Sequence, residues 1–132
     1  MISGKFYMVP NRLMELQLCP GEIAVYNYLL YCENRKTYQC YPSYRMIGNA
    51  TGMSKNTVKK YVRQLEEKQF IRTEPTDVIW RGGRKYNGNL LYTILPIQMA
   101  VNHYHQEQVN RAKLNADRHR VQVRLRSQTE SQ

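Results

Sequence analysis

The sequence predicts a mainly α fold with one small β-hairpin, an α+β domain followed by a C-terminal helix. Three patterns predict it. Val58, Tyr61, Val62 and Leu65 recur at i, i+3, i+4 and i+7, the spacing of one helix face. Gly21 to Glu33, "GEIAVYNYLLYCE", is apolar almost all round, as a helix in the middle of a small core must be. Between residues 70 and 95, runs rich in β-formers flank a glycine-rich segment, the form of a hairpin.

Taken in order, "FYMV" is broken by Pro10, and "NRLMELQL" then has helical spacing. "CPG" at 19–21 is a turn signal, since Pro fixes φ and Gly frees it. The helix at 21–33 follows. "NRKTYQCYP" has the β-formers Thr37, Tyr38 and Tyr41 and reads as a loop with a short strand. After Pro42, Ser43 is an N-cap for a short helix with Met46, Ile47 and Ala50 on one side and Gly52 as its stop. Ser54 is the N-cap of the next helix. "FIRTEPTDVIW" reads as strands with a break at Pro75, "RGGRKYNGN" as a turn-rich loop, and "LLYTIL" as a buried strand closed by Pro96. Residues 97–116 form a helix with Ile97, Val101, Tyr104 and Ala112 on one stripe. Residues 117–132 read as a basic, polar tail that frays.

Charge narrows the partner. Twenty Lys and Arg against ten Asp and Glu give a formal charge of +10 over 132 residues, which calls for a polyanion. From Asn34 to Leu65 there are seven basic residues and no acid, and Val78 to Gln106 is acid-free as well. Membrane spanning is excluded, because the longest apolar stretch, Ile23 to Cys32, falls well short of the ~20 residues needed. Cys19, Cys32 and Cys40 are odd in number and widely spaced, which argues against a disulfide framework and for a reducing cytoplasm.

Two short helices joined by "TGMS" have the sequence form of a helix-turn-helix. A helix upstream and a strand–basic loop–strand downstream complete the order of a winged helix. With Val58 at zero on the wheel, Lys60 lies about 200° away, Asn56 about 160° and Arg63 about 140°. Lys59 and Thr57 flank this outward face. Asn pairs bidentately with adenine, and Lys or Arg with guanine, in the major groove. The expected partner is therefore double-stranded DNA. Asn56, Thr57, Lys59 and Lys60 face bases or nearby phosphates, while Lys55, Arg63, Ser43, Arg45, Arg81, Arg84 and Lys85 hold the backbone. Ser54 caps the reading helix.

Residues 21–71 resemble the winged helix-turn-helix family found in bacterial replication-initiator N-terminal domains, phage replisome organisers and related regulators. The resemblance rests on "YPS" opening the first motif helix, "GMSKNTV" across the turn, and "LEEKQFI" leading into the wing. It implies DNA binding through Ser54 to Arg63, in replication initiation or transcriptional regulation of a bacterial mobile element. The helix at 97–116 either folds back on the core or pairs with its copy, and family habit with the apolar stripe favours the homodimer.

The expected organisation is thus a DNA-binding domain at 1–96, a helix at 97–116 and a tail at 117–132. No catalysis, cofactor or metal is expected. Two other readings compete. One is a winged helix used as a protein-interaction module. The other is a metal-dependent nicking enzyme built on "HYH" at 103–105, but that motif needs a strand, and the surrounding pattern points the two imidazoles about 200° apart. The tyrosines at 26, 28, 31, 38, 41 and 44 are assigned to core packing rather than to a stacking platform.

Overall fold

Helix ends fall where local side chains satisfy the backbone. The computed structural model describes residues 6–76, 79–86 and 90–130. After a 3-10 turn at Asn11–Glu15, helix α1 (Pro20–Cys32) opens with proline in its first turn, where the missing N–H costs nothing. The Cys19 N–H donates to Glu22 Oε1 at 3.1 Å. A two-residue strand β1 (Gln39–Cys40) leads to α2 (Tyr44–Thr51) and α3 (Lys55–Glu67). Strands β2 (Ile71–Pro75), β3 (Ile79–Arg81), β4 (Arg84–Tyr86) and β5 (Leu90–Ile94) follow, and α4 (Ile97–Glu130) ends the chain.

Helix α1 touches α2, α3 and β5, as an all-round apolar helix should. Val25, Tyr26, Leu29 and Leu30 face the core, where Tyr26 meets Phe70 edge-on at 5.3 Å. Val58, Val62 and Leu65 are buried from α3, each worth about 2 kcal/mol, and together they fix that helix's rotation. Strand order is β1-β5-β2, antiparallel throughout, with Tyr92 of β5 opposite Cys40 on one side and Thr73 on the other. The three cysteines are free, and Cys32 and Cys40 pack with the core; burial pushes the Cys40 thiol up to about 12.

Four expectations need correction. Only Tyr26 of the six tyrosines is fully buried; Tyr28 and Tyr44 pack at the core's edge, whereas Tyr31, Tyr38 and Tyr41 are exposed. An all-round apolar helix carries no phase, so its sequence does not say which side faces out. In α2, Met46 and Ala50 point to solvent and Ile47 and Gly48 face in, because only one turn of this short helix meets α1 and α3. The loop expected at 81–89 contains a strand. β4 pairs with β3 across Gly82 and Gly83, whose φ values of 57° and 76° suit a two-residue hairpin turn.

The fourth concerns α4, which does not stop at Ala116. No Gly or Pro interrupts 97–130, and bonds such as Gln106–Asn110 at 3.0 Å and Asp117–Arg120 at 3.7 Å run along it. Ala100 and Val101 are buried and Ile97 and Tyr104 pack on the core. From His105 to Thr129 the helix is exposed on every side, Ala112 included. Those residues extend roughly 40 Å beyond the core at ~1.5 Å per residue.

One buried charge ties the helices together. Lys68 Nζ donates to both Glu22 oxygens, at 2.9 and 2.8 Å, and the Glu22 side chain is only 3% exposed. Burial alone would raise this carboxyl, but Lys68 and Cys19 outweigh it and hold the pKa below the usual value. A lowered folded pKa gives stability that is complete above the unfolded carboxylate pKa and lost as pH falls through the folded one. Lys68→Met is expected to cost about 2 kcal/mol at neutral pH, less than a fully buried pair because Lys68 is 39% exposed. Urea denaturation should show that cost shrinking as pH falls through the acid range and Glu22 becomes protonated.

Candidate nucleic-acid interface

The turn between α2 and α3 is tight enough to fix their angle. Gly52 ends α2 at φ 73°, in the left-handed region, and the Gly52 and Met53 N–H groups both return to the Gly48 carbonyl. Gly48 lies so close to the turn that a Cβ there would come 2.4 Å from the Met53 carbonyl oxygen. Ser54 accepts from the Thr57 N–H at 3.3 Å and donates to Thr57 Oγ1 at 2.9 Å. Ser43 caps α2 in the same way, accepting from the Met46 N–H at 3.1 Å. Both expected N-caps are therefore in place.

Lys55, Asn56, Lys59, Lys60 and Arg63 are all exposed on α3, opposite the buried Val58, Val62 and Leu65. Thr57 is half-buried, with its hydroxyl engaged by Ser54, so it supports the cap more than the surface. Arg45 is exposed on α2. Among the described residues, none of these cations forms an ion pair, and Lys60 Nζ lies 5.5 Å from the centre of the Tyr61 ring. Arg63 is near enough to α2 that its charge partly offsets the upward push of burial on the Tyr44 hydroxyl.

The first turn of α3 holds no acid, although a helix N-terminus favours one by about 0.3–1 kcal/mol. Lys55 sits there instead, leaving exposed N–H groups and a positive end that an anion can neutralise. At the other end, Glu66 Oε1 accepts from the Thr73 N–H at 3.0 Å and the Thr73 hydroxyl at 2.8 Å, anchoring β2 to α3. The hairpin rising from β2 and β5 puts Arg81 opposite Arg84 and Trp80 opposite Lys85. The side chains of Arg81, Arg84 and Lys85 lie outside the described residues.

One basic residue was missed as a site candidate. Arg72 is exposed on β2, and strand alternation with the buried Ile71 was the signal that would have found it.

His103 and His105 lie on helix α4, not on a strand, and are not brought to one side; His103 Nε2 is instead 3.9 Å from Glu107 Oε1. Among the described residues, no group of three His, Cys, Asp or Glu is placed to hold a metal, and no helix is long and apolar enough to cross a membrane.

An element order of three helices, a hairpin wing and a further helix defines a winged helix-turn-helix fold. Comparison with known proteins agrees. Residues 16–71 match a family model described as a helix-turn-helix domain. LexA repressor from Staphylococcus aureus is 39% identical over 61 residues, 46% of this chain and 28% of that protein. The matched segment thus spans little more than a quarter of that relative's length. A possible transcriptional regulator from Methanosarcina mazei Go1 superposes with a TM-score of 0.51 at 17% identity, covering 80% of this chain and 82% of that one. A point mutant of Staphylococcus aureus MepR, bound to an oligodeoxyribonucleotide, gives 0.45 at 15% identity over 91% and 83% of the two chains.

Proposed function

We propose that this protein binds double-stranded DNA sequence-specifically and regulates transcription. The observation that carries this reading is the outward face of α3: from Lys55 to Arg63 it presents five exposed polar or basic side chains and no acid, above a buried face that locks the helix's rotation. Asn56, Lys59 and Lys60 reach base edges from the N-terminal half of α3, as recognition helices do in the major groove. Lys55, Arg63, Arg45 and Arg72, with Arg81, Arg84 and Lys85 of the wing, neutralise phosphates. Ser43, Ser54 and Thr57 hold the two helix starts. No step of this function requires catalysis, a cofactor or a metal, and it fits a cytoplasmic protein.

Similarity to a protein named as a repressor supports transcriptional control over replication initiation. The mobile-element setting rests on the sequence resemblance alone. We also propose that two copies pair along α4. Leu114, Val121 and Leu125 lie on one stripe at seven- and four-residue spacing and are about half exposed. A lone helix projecting this far is marginal in water without a partner.

Selection of bound sequences from a random duplex pool tests both parts. A palindromic consensus with half-sites about one turn, ~34 Å, apart is the expected result. A single unpaired site would remove the dimer, and no enrichment would favour a protein-interaction module instead.

A further inference from the structure

Glu33, the C-cap of α1, has one carboxylate oxygen that the fold leaves without a hydrogen bond. Its Oε2 is buried and has no hydrogen-bond partner among the described residues. Arg35, two residues on, donates to the Phe6 carbonyl, and among the described residues it makes no ion pair with Glu33. A carboxylate oxygen shut off from water without a partner is unfavourable and draws in a proton or a cation. Burial does push the Glu33 carboxyl up, with the Arg35 charge pulling it back, and burial with Glu33's charge pushes the neighbouring Tyr26 hydroxyl up to about 12.

A groove of about 640 Å³ opens at this carboxylate, within the size range of small-molecule sites. Its wall includes Tyr26, Leu30, Tyr38, Ile94 and Ile97, and among the described residues Glu33 is the one charged group lining it. A second concavity, lined by Tyr7, Tyr31 and Arg35 among others, meets it at Leu30 and Glu33. Tyr38 is held at φ 58°, a left-handed conformation unfavourable for an aromatic residue. Its N–H donates to the Asn34 carbonyl at 2.7 Å and its own carbonyl accepts from the Ile94 N–H at 2.8 Å, which fixes its backbone at the groove's rim. Such strain concentrates at ligand clamps.

We propose that this groove binds a hydrophobic organic cation, with Glu33 neutralising its charge and Tyr26, Tyr38 and Leu30 covering its apolar body. Anions are disfavoured by the unpaired carboxylate. Neutral ligands would leave it buried without compensation. The exposed Tyr38 ring at the rim favours a cation further, since aromatic rings attract cations. This site stands apart from the DNA-reading face and does not depend on it.

Calorimetry on the full chain with tetraphenylphosphonium, and with neutral triphenylphosphine oxide as the matched control, tests the proposal. Tetraphenylphosphonium should bind saturably and more tightly than the oxide. Glu33→Gln should weaken the cation at least ~10-fold, or about 1.4 kcal/mol, and leave the oxide unchanged. Tyr38→Gly relieves the left-handed strain, so it should fold at least as stably and still bind the cation more weakly. Absence of saturable binding by the cation, or wild-type affinity in either variant, would overturn the proposal.

Discussion

Alanine at both Lys60 and Arg63 is expected to weaken duplex DNA binding by about 100-fold, from 1–2 kcal/mol lost at each position. Both side chains are exposed on α3, and neither is held in an ion pair among the described residues. They therefore contribute little to folding, and substitutions of this kind usually change stability by no more than ~0.5 kcal/mol. Alanine's better helix propensity works in the same direction. Loss of affinity without loss of stability separates a binding face from a structural one. The salt dependence should also flatten, by ~0.9 in slope for each phosphate contact removed. Fluorescence anisotropy with a labelled duplex, beside urea denaturation, reads both quantities. Unchanged affinity would mean that α3 does not present its outward face to DNA.

Gly48→Ala is expected to destabilise the fold by about 2 kcal/mol, the range for overpacking a close contact. In an ordinary helix interior the same change stabilises by up to ~1 kcal/mol, so the sign itself is diagnostic. The cause is geometric. The new Cβ would fall 2.4 Å from the Met53 carbonyl oxygen, which is backbone and has no rotamer to escape into. Relief requires opening the turn, lengthening the 3.0 Å bond from the Met53 N–H to the Gly48 carbonyl and tilting α3. DNA affinity should fall with stability. Asn49→Ala, at the exposed neighbouring position, is the control and should be neutral or stabilising. A more stable Gly48→Ala protein would show that the turn is slack and does not set the angle of α3.

What the sequence made legible was whatever is written locally. Val58, Val62 and Leu65 marked the buried face of α3 by spacing alone, and the same wheel put Lys60 and Arg63 outside. Ser43 and Ser54 were found as caps because their bonding partners lie three residues away. The misses depend on partners distant in the chain, or on the lack of a pattern. Glu22 and Lys68 are 46 residues apart, and nothing around either announces the other. Gly48 carries no signal of its role, because its contact with Met53 exists only once the turn is made. Arg84–Tyr86 read as loop because the glycines beside it dominate local propensity, while its strand pairing comes from Ile79–Arg81. The far half of α4 lacks both a core-facing stripe and a stop signal, so the sequence marked no end for it.

The most direct test is the salt dependence of binding to double-stranded DNA. Log affinity for a duplex should fall linearly with log salt, with a slope steeper than about −4 if five or more phosphates are neutralised at ~0.9 each. A matched single strand should bind more weakly at every salt concentration. Duplex binding that is absent or insensitive to salt, or a preference for the single strand, would contradict the assignment of α3 and the wing to duplex DNA.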